Sequence, residues 1–248
     1  MVVEAVDRQE LCEQFDRAID DLVAALRDCP GELWEASMWH VPRTDAWVWP
    51  APGTEPVPAR TDESIQQFSA FWVVGYHCLW FLDFYVTADP SGFESPEYVR
   101  DGPEEMPWPA DGAAPLTDRV FSKEALLAYA DHGRRRVRER IESMPEKEFA
   151  ARCASNHPHA GKTLRQFLDV NLAHVREHGG QMLAFIRKHS GGSRPLLGHA
   201  SPAQISRSER RDHTLLNARR TARTRRCSGM VPLAELYPGP GDRGRSPG

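Results

Sequence analysis

From Ser64 to Leu82 the chain runs for 19 residues without a full charge, and this run constrains everything around it. A stretch of that length either spans a bilayer or lies at the centre of a helical core. Gln66, Gln67, Ser69 and His77 interrupt its apolar character, and it is the only such run. No Lys or Arg flanks it closely on the C-terminal side, where a membrane anchor would place one. The expectation is a helix enclosed by three neighbours and no membrane span.

Three further helical patterns supply those neighbours, and no strand-like alternation competes with them. The first runs from about Asp7 to Asp28, with Leu11, Phe15, Ile19, Leu22 and Leu26 on one face. Asp7, with Glu10 three residues on, can cap its start, and Pro30-Gly31 ends it. The second, built on the uncharged run, is expected from about Asp62 to Ala88, with Ile65, Phe68, Trp72, Leu79 and Leu82 in one stripe. The third opens at Ser122 and carries Leu126, Ala130, Val137, Ile141 and Met144; Arg134–Arg136 and Arg138–Arg140 read as its solvated face. Thr163 and Gln166 form a capping-box pair for the fourth, which continues through Phe167, Leu168, Leu172, Val175, Met182, Phe185 and Ile186. Gly179 and Gly180 lie within it, but the stripe resumes in phase, so the helix should continue through them.

The connections at 31–61 and 89–121 are long and rich in proline. Crossovers of that length let consecutive helices lie parallel, which a short loop forbids. The expected fold is all-α, a four-helix bundle with long crossover connections. Trp39, Trp47, Trp49 and Trp108 sit in these connections, where their simplest role is to pack the loops onto the bundle.

Charge divides the chain of 248 residues in two. Residues 191–248 hold 11 arginines and no lysine against 4 acids, a net charge of +7, and are rich in Gly, Pro and Ser. Residues 1–190 hold 20 bases and 31 acids, a net charge of −11. The expected domains are therefore a bundle over 1–190 and a disordered extension over 191–248. An arginine-rich arm can touch nucleic acid or anionic lipid, but Tyr237 is its only aromatic residue, and the acidic body does not suit a reader of phosphate backbones. Neither a nucleic-acid nor a membrane partner is expected. Five scattered cysteines without a CxxC motif, and an opening MVVEAVDRQE that lacks a leader pattern, point to a reduced, cytoplasmic protein.

The fourth helix reads Asn171-Leu-Ala-His174-Val-Arg-Glu-His178-Gly-Gly-Gln181. His174 and His178, four apart, project from one face, and two imidazoles so placed can reach one metal ion. They lie beside the apolar stripe that must face the interior, where unpaired imidazoles would be costly. His77 lies in the middle of the most apolar helix. Three histidines from two helices would form a tripod with an open coordination position, as in catalytic metal sites. Cys78 points away from His77 around the helix and reads as core. His40, His132, His157 and His159 have no comparable context and read as surface or loop residues. His174-Val-Arg-Glu177-His178 also matches the inverted zinc-protease signature, with Glu177 as general base, but only the tail follows to supply a further carboxylate ligand.

The run Phe71-Trp-Val-Val-Gly-Tyr-His77-Cys-Leu-Trp-Phe-Leu-Asp-Phe-Tyr85, followed much later by His174-Val-Arg-Glu-His178-Gly-Gly-Gln181, resembles the DinB-like superfamily. That group carries one histidine in its second helix and an H-x3-H pair in its fourth, usually followed by two small residues and Gln. The segment Phe121-Ser-Lys-Glu fits as well, and the resemblance covers about residues 7–189. It implies a four-helix bundle with a long crossover and a divalent metal, such as Zn or Ni, held by His77, His174 and His178. It also implies a thiol-dependent transferase or isomerase using a low-molecular-weight thiol such as bacillithiol, mycothiol or glutathione, and it leaves a homodimer open. Many members of such a group have no known reaction, so a non-catalytic metal- or ligand-binding stress-response protein is the alternative. No catalytic acid or base can be named from spacing. The arginine-rich tail departs from the family pattern.

Overall fold

Four long helices carry the fold, seen in a computed structural model that describes residues 7–43, 45, 48–49, 60–87, 92–106, 115–153 and 161–190. They are α1 (Arg8–Asp28), α2 (Phe71–Phe84), α3 (Lys123–Ser143) and α5 (Leu164–His189); α4 (Glu146–Phe149) is a single turn between the last two. All belong to one unit spanning Met1–Arg194, and no strand occurs among the described residues. The expected extension over 191–248 lies outside the described residues, as do Trp47, Trp108, His157 and His159.

The helix starts follow their local chemistry. The Asp7 carboxylate accepts from the Glu10 amide, and the Ser122 hydroxyl accepts from the Ala125 amide. Thr163 and Gln166 satisfy each other's backbone amides in a complete capping box. Helix α2 is different, because Ala70 offers no side-chain cap. Its first two amides, on Phe71 and Trp72, donate instead to the carbonyls of Ala36 and Trp34 in the preceding connection. The crossover thus does the work of a cap, satisfying donors that a helix start leaves open.

Helix α2 starts later than the apolar pattern suggests. Residues Ser64–Ser69 form a tighter 3-10 segment, and Ala70 is extended with ψ 141°. The Ser69 hydroxyl donates to the carbonyl of Trp39, and the Gln66 side chain bonds both the amide and the carbonyl of Val41. Ile65 and Phe68 therefore do not continue the α2 stripe. They pack with Val41 and Val48 in a satellite cluster, against which Trp39 and Trp49 lie. Those two tryptophans thus pack against the connection and the 3-10 segment that follows it.

Helices α1 and α2 occupy opposite corners of the bundle, each packed against both α3 and α5. Arg8, at the start of α1, bonds the Ile141 carbonyl near the end of α3, and Lys123, at the start of α3, bonds the Cys29 carbonyl just beyond α1. These two helices are antiparallel. Trp72 lies against Phe121 and Asp83 against Arg136, so α2 and α3 run parallel. Phe71 meets Phe185 and Tyr85 meets Phe167, so α2 and α5 are antiparallel. The order is up, down, down, up, and the parallel step from α2 to α3 uses the second long crossover.

Every residue of α2 from Phe71 to Asp83 is buried, which accounts for the uncharged run. Among the described residues no helix is long and apolar enough to cross a membrane. Gly75 lets α2 sit deep in the bundle, since a Cβ there would lie 2.9 Å from Leu26 Cδ2 and 3.3 Å from Met182 Cε.

The arginine face of α3 is not simply solvated. Arg134 bridges Asp16 and Asp20, Arg138 reaches Asp16, and Arg140 pairs with Glu148. Arg136 and His132 both pair with Asp83, at 3.1 Å each, a carboxylate only 1 % exposed at the end of α2. His132 is thus the partner of a buried acid, not a bare surface residue. The arginine run lies where two neighbouring helices present acids, a correspondence that periodicity on α3 alone does not reveal.

Candidate metal centre

His77 sits near the middle of α2, where the antiparallel α5 passes it. His174 and His178 stand one turn apart on the facing side of α5, and a nitrogen from each of the three rings lies within 4.8 Å of the others. His77 Nε2 and His174 Nε2 are 3.3 Å apart. A tetrahedral ion bound at 2.0–2.1 Å by imidazoles separates its nitrogen ligands by ~3.3 Å, so this spacing is that of two corners of one coordination shell. The rings stand nearly perpendicular where they face His178, at 87° from His77 and 88° from His174. His77 and His174 are inclined at 66° to each other, so none of the three pairs is stacked.

The outer nitrogens determine which inner ones are free. The Nδ1 of His77 lies 2.8 Å from Glu104 Oε1, whose side chain is only 6 % exposed. A carboxylate can only accept, so in the neutral ring the proton is on Nδ1 and the Nε2 lone pair is free. His178 Nδ1 lies 3.0 Å from Gln181 Oε1. The other end of that amide, Gln181 Nε2, donates to Glu177 Oε1 at 3.2 Å, which fixes the oxygen toward the histidine. His178 therefore also donates through Nδ1 and leaves Nε2 available. His174 Nδ1 is buried without a hydrogen-bond partner.

The electrostatics match a site kept neutral for a cation. Burial, followed by the neighbouring His178 and His77, holds the His174 pKa well below that of a free imidazole. Burial and His77 depress that of His178 to about 3, against a small opposing effect of the Gln181 hydrogen bond. Two adjacent imidazolium charges would repel one another in a desolvated space. Neutral rings avoid that repulsion, and a divalent cation would satisfy the three inner nitrogens together. The donor set fits such an ion, since imidazole nitrogen suits Zn, Ni and other first-row metals.

The remaining sequence expectations fall around this centre. Cys78 is fully buried, with burial pushing its thiol pKa up, and belongs to the core. Glu177 is exposed and serves Gln181, not the histidines, so the inverted protease motif has no general base at the centre. His40 is exposed and apart from the group. Helix α5 continues through Gly179 and Gly180, and Gly179 faces α1, where a Cβ would lie 3.5 Å from the Leu22 amide nitrogen. Its small size serves the approach of α5 to α1 and not the metal directly. The residue that sequence reasoning missed is Glu104.

A cleft of about 390 Å³ opens one helical turn from His77, lined by Trp80, Phe84, Phe93, Glu94, Arg100, Asp101 and Glu105. None of the three histidines lines it. Glu105, next in sequence to Glu104, is part of its lining.

Neither a curated protein nor a solved structure matches the chain. A family model, described as the DinB superfamily, matches residues 14–182, a span that holds most of α1, all of α2 and α3, and the three histidines. With the up-down-down-up bundle and the H-x3-H pair facing a lone histidine across one helix seam, that match settles the family: the chain belongs to the DinB superfamily.

Proposed function

We propose that this protein binds one divalent metal ion through His77, His174 and His178 and uses it as a metal-dependent enzyme on a small molecule. The observation that supports this most is the convergence of three ring nitrogens within 4.8 Å, two of the rings being held by the hydrogen bonds their Nδ1 atoms donate to Glu104 and Gln181. A purely structural polar cluster does not need three ring nitrogens gathered at one point. Three protein ligands leave a tetrahedral ion one open position, the mark of a catalytic site. When bound there, a divalent cation stabilises the anion of a thiol or a water near neutral pH.

The proposed reaction is thiol transfer or isomerisation with a low-molecular-weight thiol. Zn or Ni is the proposed ion, and the cytoplasm is the proposed location. Cys12, Cys29, Cys78 and Cys153 are all free thiols, which suits a reducing compartment. The chain's own residues hold and orient the ligands, while Phe81, whose ring lies 4.8 Å from His77 and 5.7 Å from His174, keeps an apolar wall beside them.

One observation favours a second reading. Because the cleft beside Trp80 is lined by no histidine, a substrate seated there would not lie directly on the metal. A non-catalytic metal- or ligand-binding protein with the same three histidines would have this layout. Turnover assays with several thiols and a generic electrophile, with and without added Zn or Ni, separate the two. Metal-dependent turnover supports the enzyme; none with any thiol supports the binding protein.

A further inference from the structure

We propose that Glu104 is a positioning residue for the metal centre, holding His77 by its Nδ1–H so that Nε2 faces His174 and His178. This rests on the metal-binding reading above. Outer-sphere carboxylates of this kind orient a ligand ring and raise its basicity.

Residues 95–106 of the connection between α2 and α3 form a turn that carries this contact. Asp101 adopts a positive φ of 61°, a conformation that Asp tolerates better than most residues. Gly102 then lies flat on the Tyr76 ring, where a Cβ would come within 2.1 Å of Cζ. The Glu105 and Met106 amides both donate to the Gly102 carbonyl, closing the turn. The Glu105 carboxylate staples the turn from outside, accepting from the Ser95 amide at 3.1 Å and the Asp101 amide at 2.9 Å. Of the two adjacent acids, Glu105 is used by the loop's own backbone and Glu104 is turned inward to the histidine.

Stability alone does not explain an acid at this position. Oε2 of Glu104 is buried and has no hydrogen-bond partner. A buried carboxylate with one partner costs more than an apolar residue of the same size. Its charge is offset if a cation sits on the far side of the ring it holds.

The test uses the full chain and zinc alone, with affinity measured by competition against a chromophoric chelator, and nitrogen NMR of the His77 ring in metal-free protein. Glu104→Leu should weaken zinc binding about 10- to 100-fold. Glu104→Gln, which keeps an acceptor without the charge, should lose less. Metal-free wild type should show the Nδ1–H form of His77, and Glu104→Leu should lose it. A folded Glu104→Leu protein with wild-type zinc affinity, or an Nε2–H ring in the wild type, overturns the proposal. Should Glu104→Leu fail to fold, Glu104→Gln and the wild-type ring decide: wild-type affinity in the former, or the Nε2–H form in the latter, overturns it. If the wild type binds no zinc, the metal reading fails together with this role, an outcome distinct from zinc binding that ignores Glu104.

Discussion

Nε2 of His77 and Nε2 of His174 lie 3.3 Å apart across the seam between α2 and α5, a spacing that a shared proton or a shared metal ion can occupy. Helix α2 is buried along its whole inner length, and α5 runs antiparallel to it, so the two rings meet at mid-bundle. The fold brings lone pairs together where water is scarce. That is the physical content of the site, and the predictions below follow from it.

Replacing His77 removes a ligand and also strands Glu104. In His77→Phe the buried carboxylate loses its 2.8 Å partner, and the apo protein should lose about 3 kcal/mol of stability. His77→Phe combined with Glu104→Leu should recover most of that loss, because two apolar groups then replace a pair. Zinc affinity should fall by orders of magnitude in both. Chemical denaturation of the metal-free proteins checks the coupling; equal stability of single and double variants would contradict it.

Acid should destabilise the apo protein before it affects ordinary carboxylates. The folded-state pKa values of His174 and His178 lie below that of an unfolded histidine, His178 at about 3. Between roughly pH 6.5 and that value the unfolded chain binds protons that the folded chain does not, so stability falls as pH drops, by up to ~1.4 kcal/mol per pH unit for each histidine. The contribution is fully present above the unfolded value. Because protonation of these rings is delayed, bound metal should also persist at pH 5.5. Denaturation series from pH 7.5 to 4 test the slope, and a flat profile would show that these rings are not buried neutral.

The sequence made the bundle legible because each long helix repeats apolar residues every three or four positions and three of them carry side-chain caps at their starts. It did not reveal where α2 begins. An all-apolar run has no polar face to break its phase, and only tertiary bonds from Ser69 and Gln66 to the crossover divert it. The histidine spacing was legible for the same reason as the helices. Glu104 was not, since it lies 27 residues from His77 in an aperiodic connection. Its one local signal is the turn sequence Asp101-Gly102-Pro103 ahead of two acids, which announces a turn but not what it points at.

Glycines that look alike in sequence should respond oppositely to alanine. At Gly180 nothing lies within 4 Å of an added Cβ, so Gly180→Ala should stabilise by ~0.5–1 kcal/mol through helix propensity. At Gly75 the same methyl meets Leu26 and Met182 at 2.9 and 3.3 Å, and Gly75→Ala should cost about 1–3 kcal/mol by overpacking the bundle centre. Thermal midpoints of the two variants compare them directly, and the same direction of change in both would contradict the packing described.

The central claim is tested most directly by elemental analysis of the full chain purified without a histidine tag. The structure predicts close to one equivalent of a first-row divalent metal per chain, sharply reduced in His174→Ala and in His178→Ala. A wild-type protein that arrives empty and cannot be loaded with Zn or Ni would contradict the claim that these three histidines form a metal centre.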